Sequence, residues 1–442
     1  MNKQDQIITA LPAAGYTVVL GAAGSGKTAA ALKRACFFAD QPEHPRVLLL
    51  TWNRLLASQL LTQNAGESLP RQLTVEGFPD FAVRSLKRCG MLSGTGRILD
   101  AHRRAALIRQ ALQKCCAEEP DEPLFSMPAP FFDEEIRMMQ QTGRQSCSDS
   151  DGSEYMQRLR KCIETVSRHY HELRAFGGWR CDAEDLPGML CRARMREKTP
   201  LRYAHILVDD AQDYSPAMLR ALYSVLEPDG SMTLFADPVQ RLTGTRYSWQ
   251  DAGLQVGAVY KLSGSRCVPA EMQHLLSALR SGEQTAAAEM PLLRLYADPE
   301  HELADMTALA VRLSRTAPVA VLCRCSADVL RFRRQLLLAQ HDSVILHSDT
   351  AADVREPGVY LSTYRDARGL EFPHVLLPFL SADQLPHPAA LLRSRTAAEA
   401  VENERRLFYC AASRAAASLY LSASGSPTQL LPAACIPAQY TA

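Results

Sequence analysis

Residues 16–30 read YTVVLGAAGSGKTAA and join an apolar, β-branched run to a glycine-rich loop and then to a run of helix formers. This order predicts a buried strand, a tight loop and a helix. Glycines allow the loop backbone to curl, so that successive N–H groups converge on a phosphate at the N-terminus of the helix. Lys27 is placed to reach the β- and γ-phosphates, and the Thr28 hydroxyl is placed to hold Mg²⁺. The stretch therefore predicts a phosphate-binding loop.

Six residues of this loop are expected to contact a nucleotide. They are Gly21, Gly24, Ser25, Gly26, Lys27 and Thr28. A glycine turn with a chance lysine is the competing interpretation, and the flanking strand and helix disfavour it. Upstream, Gln6 carries an amide with a donor and an acceptor, which suits an adenine edge. Gln6 is equally typical of a solvent-exposed helix surface, so the sequence leaves both interpretations open.

Length, charge and cysteine usage limit the class of protein. The chain has 442 residues, enough for two or three domains, and its 49 Lys and Arg against 48 Asp and Glu give a net charge of +1. A nucleic acid would therefore contact a local surface rather than an overall basic coat. The 13 cysteines include no CxxC pair, and no apolar signal segment or run of membrane-spanning length is present. We expect reduced thiols, a cytoplasmic location and no membrane association.

Two further strands end in side chains suited to a ligand. Residues 46–52 predict a second buried strand and residues 73–75 a third. Ligands of open parallel sheets gather beyond the carboxyl ends of the strands, which makes Trp52, Asn53 and Phe78 candidates to contact a nucleic acid. For Trp52 two interpretations stay open, because its ring suits both stacking on a base and capping the core.

The hydrophobic pattern of the sequence changes between residues 79 and 199, where β-branched runs disappear and helical periodicity dominates. We interpret this segment as a helical insertion in the first α/β domain. The sheet resumes at residues 204–208, and Asp209 and Asp210 follow at once. The first carboxylate is placed to hold Mg²⁺, and the second is placed to orient an attacking water.

Another predicted strand, at residues 232–236, ends in the sequence DPVQ. The Gln240 amide at this strand end suits a residue that senses the γ-phosphate. Tyr247 and Trp249 come next and are candidates to face a bound base. A second α/β region starts near Leu262 and again alternates apolar strands with helices.

Five stretches, in chain order, resemble motifs of the UvrD/Rep-like branch of superfamily 1 DNA helicases. GAAGSGKT is similar to that family's P-loop, VDDAQD to VDE-x-QD, and ADPVQ to GD-x-x-Q. TYRDARGLEF resembles T-x-H-x-x-K-G-L-E-F, and ERRLFYCAASRA resembles ERRL-x-YVA-x-TRA. The last two motifs are long and specific, and the resemblance covers most of the chain outside the helical insertion and the C-terminal tail.

The resemblance implies an α/β fold with two RecA-like P-loop NTPase lobes built on parallel sheets. Residues 1–78 and 200–261 would form the first lobe, residues 79–199 the helical insertion, and residues 262–442 the second lobe. ATP and Mg²⁺ would bind between the lobes, and single-stranded DNA would lie across both.

Site roles follow from the same resemblance. Gln6 would read adenine, Lys27 and Thr28 would bind phosphate and Mg²⁺, Asp209 would hold Mg²⁺, Asp210 would stand at the water-activating position, and Gln240 would sense the γ-phosphate. Arg266 and Arg414 would be arginine fingers supplied by the second lobe. Glu371 would bind the ribose with Gly369 beside it, and Tyr364 would lie near the nucleic-acid path.

Two departures from the family pattern bear on activity. Asp210 stands where the family has glutamate, and a catalytic group misplaced by about 1 Å can cost on the order of a hundredfold in rate. Residues 267–362 leave room only for the lobe itself, so the family's second accessory insertion is expected to be absent. A motor reduced in this way would depend on a partner for loading or strand separation.

The leading hypothesis is a compact ATP-dependent single-stranded-DNA translocase or helicase that moves 3′ to 5′, a direction implied by the resemblance alone. It is expected to have a protein partner, such as a nuclease or another subunit of a complex, and the sequence does not distinguish DNA from RNA. The alternative is an ATP-gated binding or regulatory subunit that hydrolyses slowly and does not unwind. A P-loop kinase of small molecules leaves residues 358–372 and 402–417 unexplained.

Overall fold

The computed structural model describes residues 11, 14–22, 24–51, 69–92, 97–142, 154–195, 201–237, 252–262, 269–282, 290–347, 354–393 and 396–437. Several of the candidate site residues lie outside these ranges. They are Gln6, Trp52, Asn53, Gln240, Tyr247, Trp249 and Arg266. Their roles therefore stay predictions.

The described chain alternates strands and helices. The strands are β1 (Gly15–Leu20), β2 (Val47–Thr51), β3 (Leu73–Gly77), β4 (Arg97–Leu99), β5 (Trp179–Asp182), β6 (Tyr203–Val208), β7 (Leu226–Ala236), β8 (Val256–Lys261), β9 (Leu293–Tyr296), β10 (Pro318–Cys323), β11 (Ser343–Ile345), β12 (Gly358–Thr363), β13 (Phe372–Leu377) and β14 (Ala415–Ser424). The helices are α1 (Lys27–Ala39), α2 (Phe78–Arg88), α3 (Ala101–Glu118), α4 (Ala129–Thr142), α5 (Glu154–Phe176), α6 (Leu186–Arg194), α7 (Pro216–Tyr223), α8 (Ala270–Ser281), α9 (Pro299–Leu313), α10 (Ser326–Leu338), α11 (Pro388–Arg393) and α12 (Ala397–Ala412).

The first lobe is built on a six-stranded sheet in the order β3-β2-β6-β7-β1-β8, and every strand pair in it is parallel. Successive residues of β2 enter opposite cores: Leu48 and Leu50 pack on one face of the sheet, Val47 and Leu49 on the other. A parallel strand that is buried on both faces needs a continuous apolar run, which explains why the sequence VLLL of β2 has no polar residue. The α/β prediction for this half of the chain is confirmed.

The helical insertion has a hydrophobic core of its own. Helices α3, α4 and α5 surround Ile108, Phe132 and Val166, and the short strands β4 and β5 pair in parallel beside them. The flanking helices α2 and α6 pack instead with the core of the first lobe. The independent packing unit is thus narrower than the predicted span of 79–199, because amphipathic periodicity does not reveal which core a helix joins.

The second lobe repeats the architecture. Its six strands run in the order β11-β12-β10-β13-β14-β9, again with every pair parallel, and helices cover both faces. Residues 290–347 supply β9, α9, β10, α10 and β11, which all belong to this sheet or its helical layer. In these described residues the lobe carries no added domain. None of the described helices is both long and apolar enough to cross a bilayer.

Candidate active site

The glycine loop connects β1 to α1 at the carboxyl edge of the first sheet. Gly24 has φ of 70° and Gly26 has φ of 83°, a left-handed conformation that favours glycine. At Gly21 an added Cβ would lie 2.3 Å from Ser25 Oγ, so any larger residue would displace the Ser25 side chain. Helix α1 begins directly at Lys27, and its free N–H groups face the loop. These glycines therefore form an anion cradle at a helix N-terminus.

The Lys27 side chain lies folded within the cradle. Its Nζ donates hydrogen bonds to the carbonyl oxygens of Gly21 and Ala22, each at 2.9 Å. Nearby, Ser25 Oγ is buried and has no hydrogen-bond partner among the described residues. An ammonium group and a buried hydroxyl that lacks a partner suit a bound phosphate.

Asp209 follows β6 and meets the first turn of α1. The Thr28 hydroxyl donates to Asp209 Oδ2 at 2.6 Å, while Oδ1 is buried with no partner in the described part of the chain. Burial, followed by the negative charge of Asp210, raises the pKa of the Asp209 carboxyl. A cation would relieve this cost, and a hydroxyl beside a carboxylate is the hard oxygen set that Mg²⁺ prefers. The residues present therefore fit a Mg²⁺–triphosphate.

Asp210 adopts the left-handed conformation, with φ of 51° and ψ of 40°. Its Oδ1 accepts a hydrogen bond from Gln212 Nε2 at 3.3 Å, and Gln212 Oε1 accepts one from the backbone N–H of Asp237 at 2.9 Å. Gln212 thus links the ends of β6 and β7, the two strand ends that the sequence predicts to carry the acidic and amide side chains.

The second lobe contacts these same strand ends. Arg368 Nη1 lies 3.0 Å from Asp213 Oδ2, and both side chains are buried. The Tyr409 hydroxyl donates to Asp237 Oδ2 at 3.4 Å. Residues from TYRDARGLEF and from ERRLFYCAASRA, the two motif-like stretches of the second lobe, therefore reach the edge of the first sheet.

Comparison with known proteins agrees with this arrangement. Residues 1–257 match the model of the UvrD/REP helicase N-terminal domain, and residues 307–426 match that of the UvrD-like helicase C-terminal domain. The chain belongs to the UvrD/REP helicase family. UvrD-like helicases use ATP with Mg²⁺.

Other comparisons add little to the assignment of this UvrD-like chain. Among solved structures, it is similar to the C-terminal domain of a possible DNA helicase from Lactobacillus plantarum WCFS1, with 18% identity over 39% of this chain and 98% of that one. The TM-score of 0.29 is too low for that likeness to carry an argument. No curated protein matches the chain.

In this UvrD-like chain, Arg414 lies just after α12 and is held within the second lobe. It donates to the carbonyl oxygens of Cys410 and Leu370 and to Ser413 Oγ, at 2.9, 3.3 and 2.8 Å respectively. The structure therefore does not bring the Arg414 guanidinium onto the Lys27 loop. Leu370 lies between Gly369, which has φ of 73°, and the exposed Glu371, so these nucleotide candidates cluster beside Arg414.

Two candidate nucleic-acid contacts are core residues, which corrects the prediction for their side chains. Phe78 is 3% exposed and packs edge-on against Tyr214, with ring centroids 5.9 Å apart. Tyr364 is 1% exposed and packs against Phe408 at 6.4 Å. Neither ring is accessible to a nucleic acid in this arrangement. Each residue directly follows a β-strand, and its side chain packs into the helical layer.

Sequence reasoning missed the exposed residue of the same segment, Arg365. This side chain is exposed and follows β12 in the turn that also carries Tyr364 and Arg368. Letter by letter, Arg365 takes the place of the histidine in T-x-H-x-x-K-G-L-E-F. That position was the signal that would have favoured Arg365 over Tyr364.

Proposed function

We propose that this UvrD-like chain is an ATP-dependent translocase of single-stranded DNA that hydrolyses ATP at the seam between its two lobes. One observation carries the proposal. The Thr28–Asp209 pair and the Arg368–Asp213 pair lie at the same strand ends, one on the nucleotide side and one on the second lobe. Hydrolysis of the nucleotide would therefore alter contacts of both lobes.

The residues of the first lobe would bind and orient the triphosphate. Lys27 would exchange its two carbonyl acceptors for phosphate oxygens, and the N–H groups at the start of α1 would donate to the same phosphates. Thr28 and Asp209 would hold Mg²⁺, which supplies charge neutralisation to the phosphates when it is bound. Asp210, anchored by Gln212, would orient the attacking water.

The second lobe would complete the reaction through its arginines. Arg414 would leave its carbonyl acceptors and turn toward the γ-phosphate as the lobes close, and Arg266 would join it. A guanidinium next to the developing charge stabilises the transition state, so hydrolysis would require closure. Closure and opening would then move single-stranded DNA across the lobes, held by backbone contacts without sequence reading.

The finer features of the proposal come from the family resemblance. They include movement 3′ to 5′, a cytoplasmic location and a role as one subunit of a larger complex, such as one with a nuclease. The second candidate function is an ATP-gated binding subunit with slow hydrolysis. The short carboxylate at Asp210 favours it, because the water would lie farther from its base.

The test is ATP turnover by the full chain with and without single-stranded DNA. A translocase should show turnover that rises at least tenfold with a saturating oligonucleotide of about 40 nucleotides and grows with oligonucleotide length. Lys27→Ala is the control that abolishes turnover. Turnover that does not respond to DNA would contradict the translocase and favour the regulatory subunit.

A further inference from the structure

Helix α10 presents leucines to solvent as well as to the core. Val329, Phe332 and Leu336 are buried against the second sheet. On the opposite face, Leu330 and Leu337 are 58% and 56% exposed, and Leu338 beside them is 71% exposed. Isolated exposed leucines are ordinary on protein surfaces, but three on one helix of 13 residues, with arginines between them, form a mixed apolar and basic surface. We call these three residues and the arginines between them the leucine face.

Two arginines lie within the leucine face. At 100° per residue, Arg334 falls beside the Leu330–Leu337 line on one side and Arg333 on the other. Both side chains are exposed, and neither forms a hydrogen bond or ion pair with any residue that the structure describes. The neighbouring Arg331 differs, because it donates to the Pro299 carbonyl and covers the Phe379 ring. The positive charge of the leucine face is therefore available to a partner.

We propose that the leucine face binds an acidic amphipathic helix of another protein, and the proposal locates the partner contact that the proposed function calls for. Leu330 and Leu337 are seven residues apart, about two helical turns, so they line up along the helix, and the i+3 and i+4 positions between them are Arg333 and Arg334. Leucines or methionines of the partner would cover the three leucines, and flanking aspartates or glutamates would pair with Arg333 and Arg334.

Charge argues against the other occupants. A second copy of this chain would pair the leucine face with itself, and Arg334 lies midway between Leu330 and Leu338, so the arginines would oppose each other. A nucleic-acid backbone would neutralise the arginines but leave the three leucines uncovered. An anionic membrane needs a broad basic surface, whereas this chain has a net charge of +1 and α10 spans only 13 residues.

The first experiment identifies the occupant in cells that express the full chain. A photoreactive amino acid replaces Leu337, and the same replacement at Leu391, an exposed leucine of α11 in the same lobe, is the control. The expected product is a cross-link, at position 337 alone, to a helical segment of a different chain with Asp or Glu beside its apolar residues. Cross-links to nucleic acid, lipid or a second copy, or none above the Leu391 control, would overturn the proposal.

The second experiment tests the chemistry with two designed 18-residue helical peptides that share a leucine stripe and carry either glutamates or lysines beside it. The full chain should bind the glutamate peptide at least tenfold tighter than the lysine peptide. Arg333→Glu with Arg334→Glu should reverse this preference, and Leu337→Glu should weaken binding at least tenfold. Equal binding of both peptides, or no binding, would overturn the proposal.

ATP turnover separates this inference from the proposed function. None of the substituted residues contacts the Lys27 loop, so the DNA-stimulated turnover of the variants should match that of the unmodified chain. Peptide binding without DNA-stimulated turnover would contradict the translocase proposal and support the docking proposal. DNA-stimulated turnover without peptide discrimination would do the reverse.

Discussion

Arg368 of the second lobe and Asp213 of the first form a buried ion pair across the seam between the lobes, with 3.0 Å between Nη1 and Oδ2. The two residues are far apart in the chain, and each lies in the turn that follows a strand of its own sheet. Asp213 ends the short turn that also carries Asp210. The pair therefore joins the predicted hydrolytic residues to the lobe that is expected to move.

Removing Arg368 should destabilise the contact between the two lobes. Arg368→Ala removes the cation of this buried ion pair, a change that typically lowers the free energy of unfolding by about 3–5 kcal/mol. Arg368→Lys, the family's usual residue, keeps the charge and should retain most of the stability. Urea unfolding of the three proteins gives the measurement, and equal stability of the alanine variant and the unmodified chain would show that the pair does not hold the lobes.

Gly21 should be intolerant of any side chain. Gly21→Ala places a Cβ 2.3 Å from Ser25 Oγ and 3.1 Å from Lys27 Cγ, so both of these phosphate-binding side chains must shift. Because Ser25 and Lys27 would no longer be in place for the phosphates, we expect ATP affinity to fall by about tenfold, which corresponds to about 1.4 kcal/mol. Combining Gly21→Ala with Ser25→Gly removes the clashing hydroxyl and should restore part of the affinity. Fluorescent-ATP titration checks both, and an unchanged affinity in Gly21→Ala would mean that the cradle is not the binding site.

Asp210 should control the chemical step rather than nucleotide binding. Asp210→Asn removes the base that orients water, and turnover should fall on the order of a hundredfold or more while ATP binding stays within a few-fold. Asp210→Glu moves the carboxylate closer to the water and should raise turnover. Single-turnover hydrolysis measures both variants. If glutamate slows turnover, the left-handed backbone at this position, with φ of 51°, already compensates for the shorter side chain.

Acid should weaken the first lobe through His205 on β6. Its ring stacks on Phe38 with centroids 3.7 Å apart and bonds Ser231 Oγ at 2.8 Å, and burial, followed by the charge of Arg34, lowers the pKa of His205 to about 4. The unfolded imidazole takes up its proton near pH 6.5 and the folded one only near 4, so this stability is present above 6.5 and is lost as the pH falls between those values.

Because His205 is only partly buried, solvent screens part of the effect, and the loss attributable to it should be about 1–3 kcal/mol at pH 4. His205→Gln keeps a polar group beside Ser231 but does not titrate, so its free energy of unfolding should fall less steeply over the same interval. Denaturant unfolding at pH 7, 6, 5 and 4 provides the comparison. Parallel pH profiles for the two proteins would mean that other groups cause the acid sensitivity.

The sequence predicted those parts of the fold and site that depend on local pattern. Apolar runs predicted β1, β2 and β6, and the structure confirms parallel strands there. The placement of Thr28 next to Asp209 follows from the same pattern, because parallel strands bring their carboxyl ends to one edge.

Contacts between distant segments were beyond the sequence. Nothing local in DDAQD or TYRDARG indicates that Asp213 and Arg368 would meet, because such a pair depends on how two sheets are placed. The errors at Phe78 and Tyr364 have a related cause. An aromatic residue after a strand reads as a ligand contact, while the helix that packs over it is encoded elsewhere in the chain.

The central claim is that the two lobes act on one triphosphate. The first lobe binds it, and the second lobe supplies the arginines that its hydrolysis requires. Parallel measurement of ATP affinity and DNA-stimulated turnover in Arg414→Ala tests it most directly. The account predicts ATP affinity within a few-fold of the unmodified chain and turnover lower by a factor of about 10³ or more, the usual contribution of an arginine finger. Unchanged turnover, or loss of ATP binding, would contradict it.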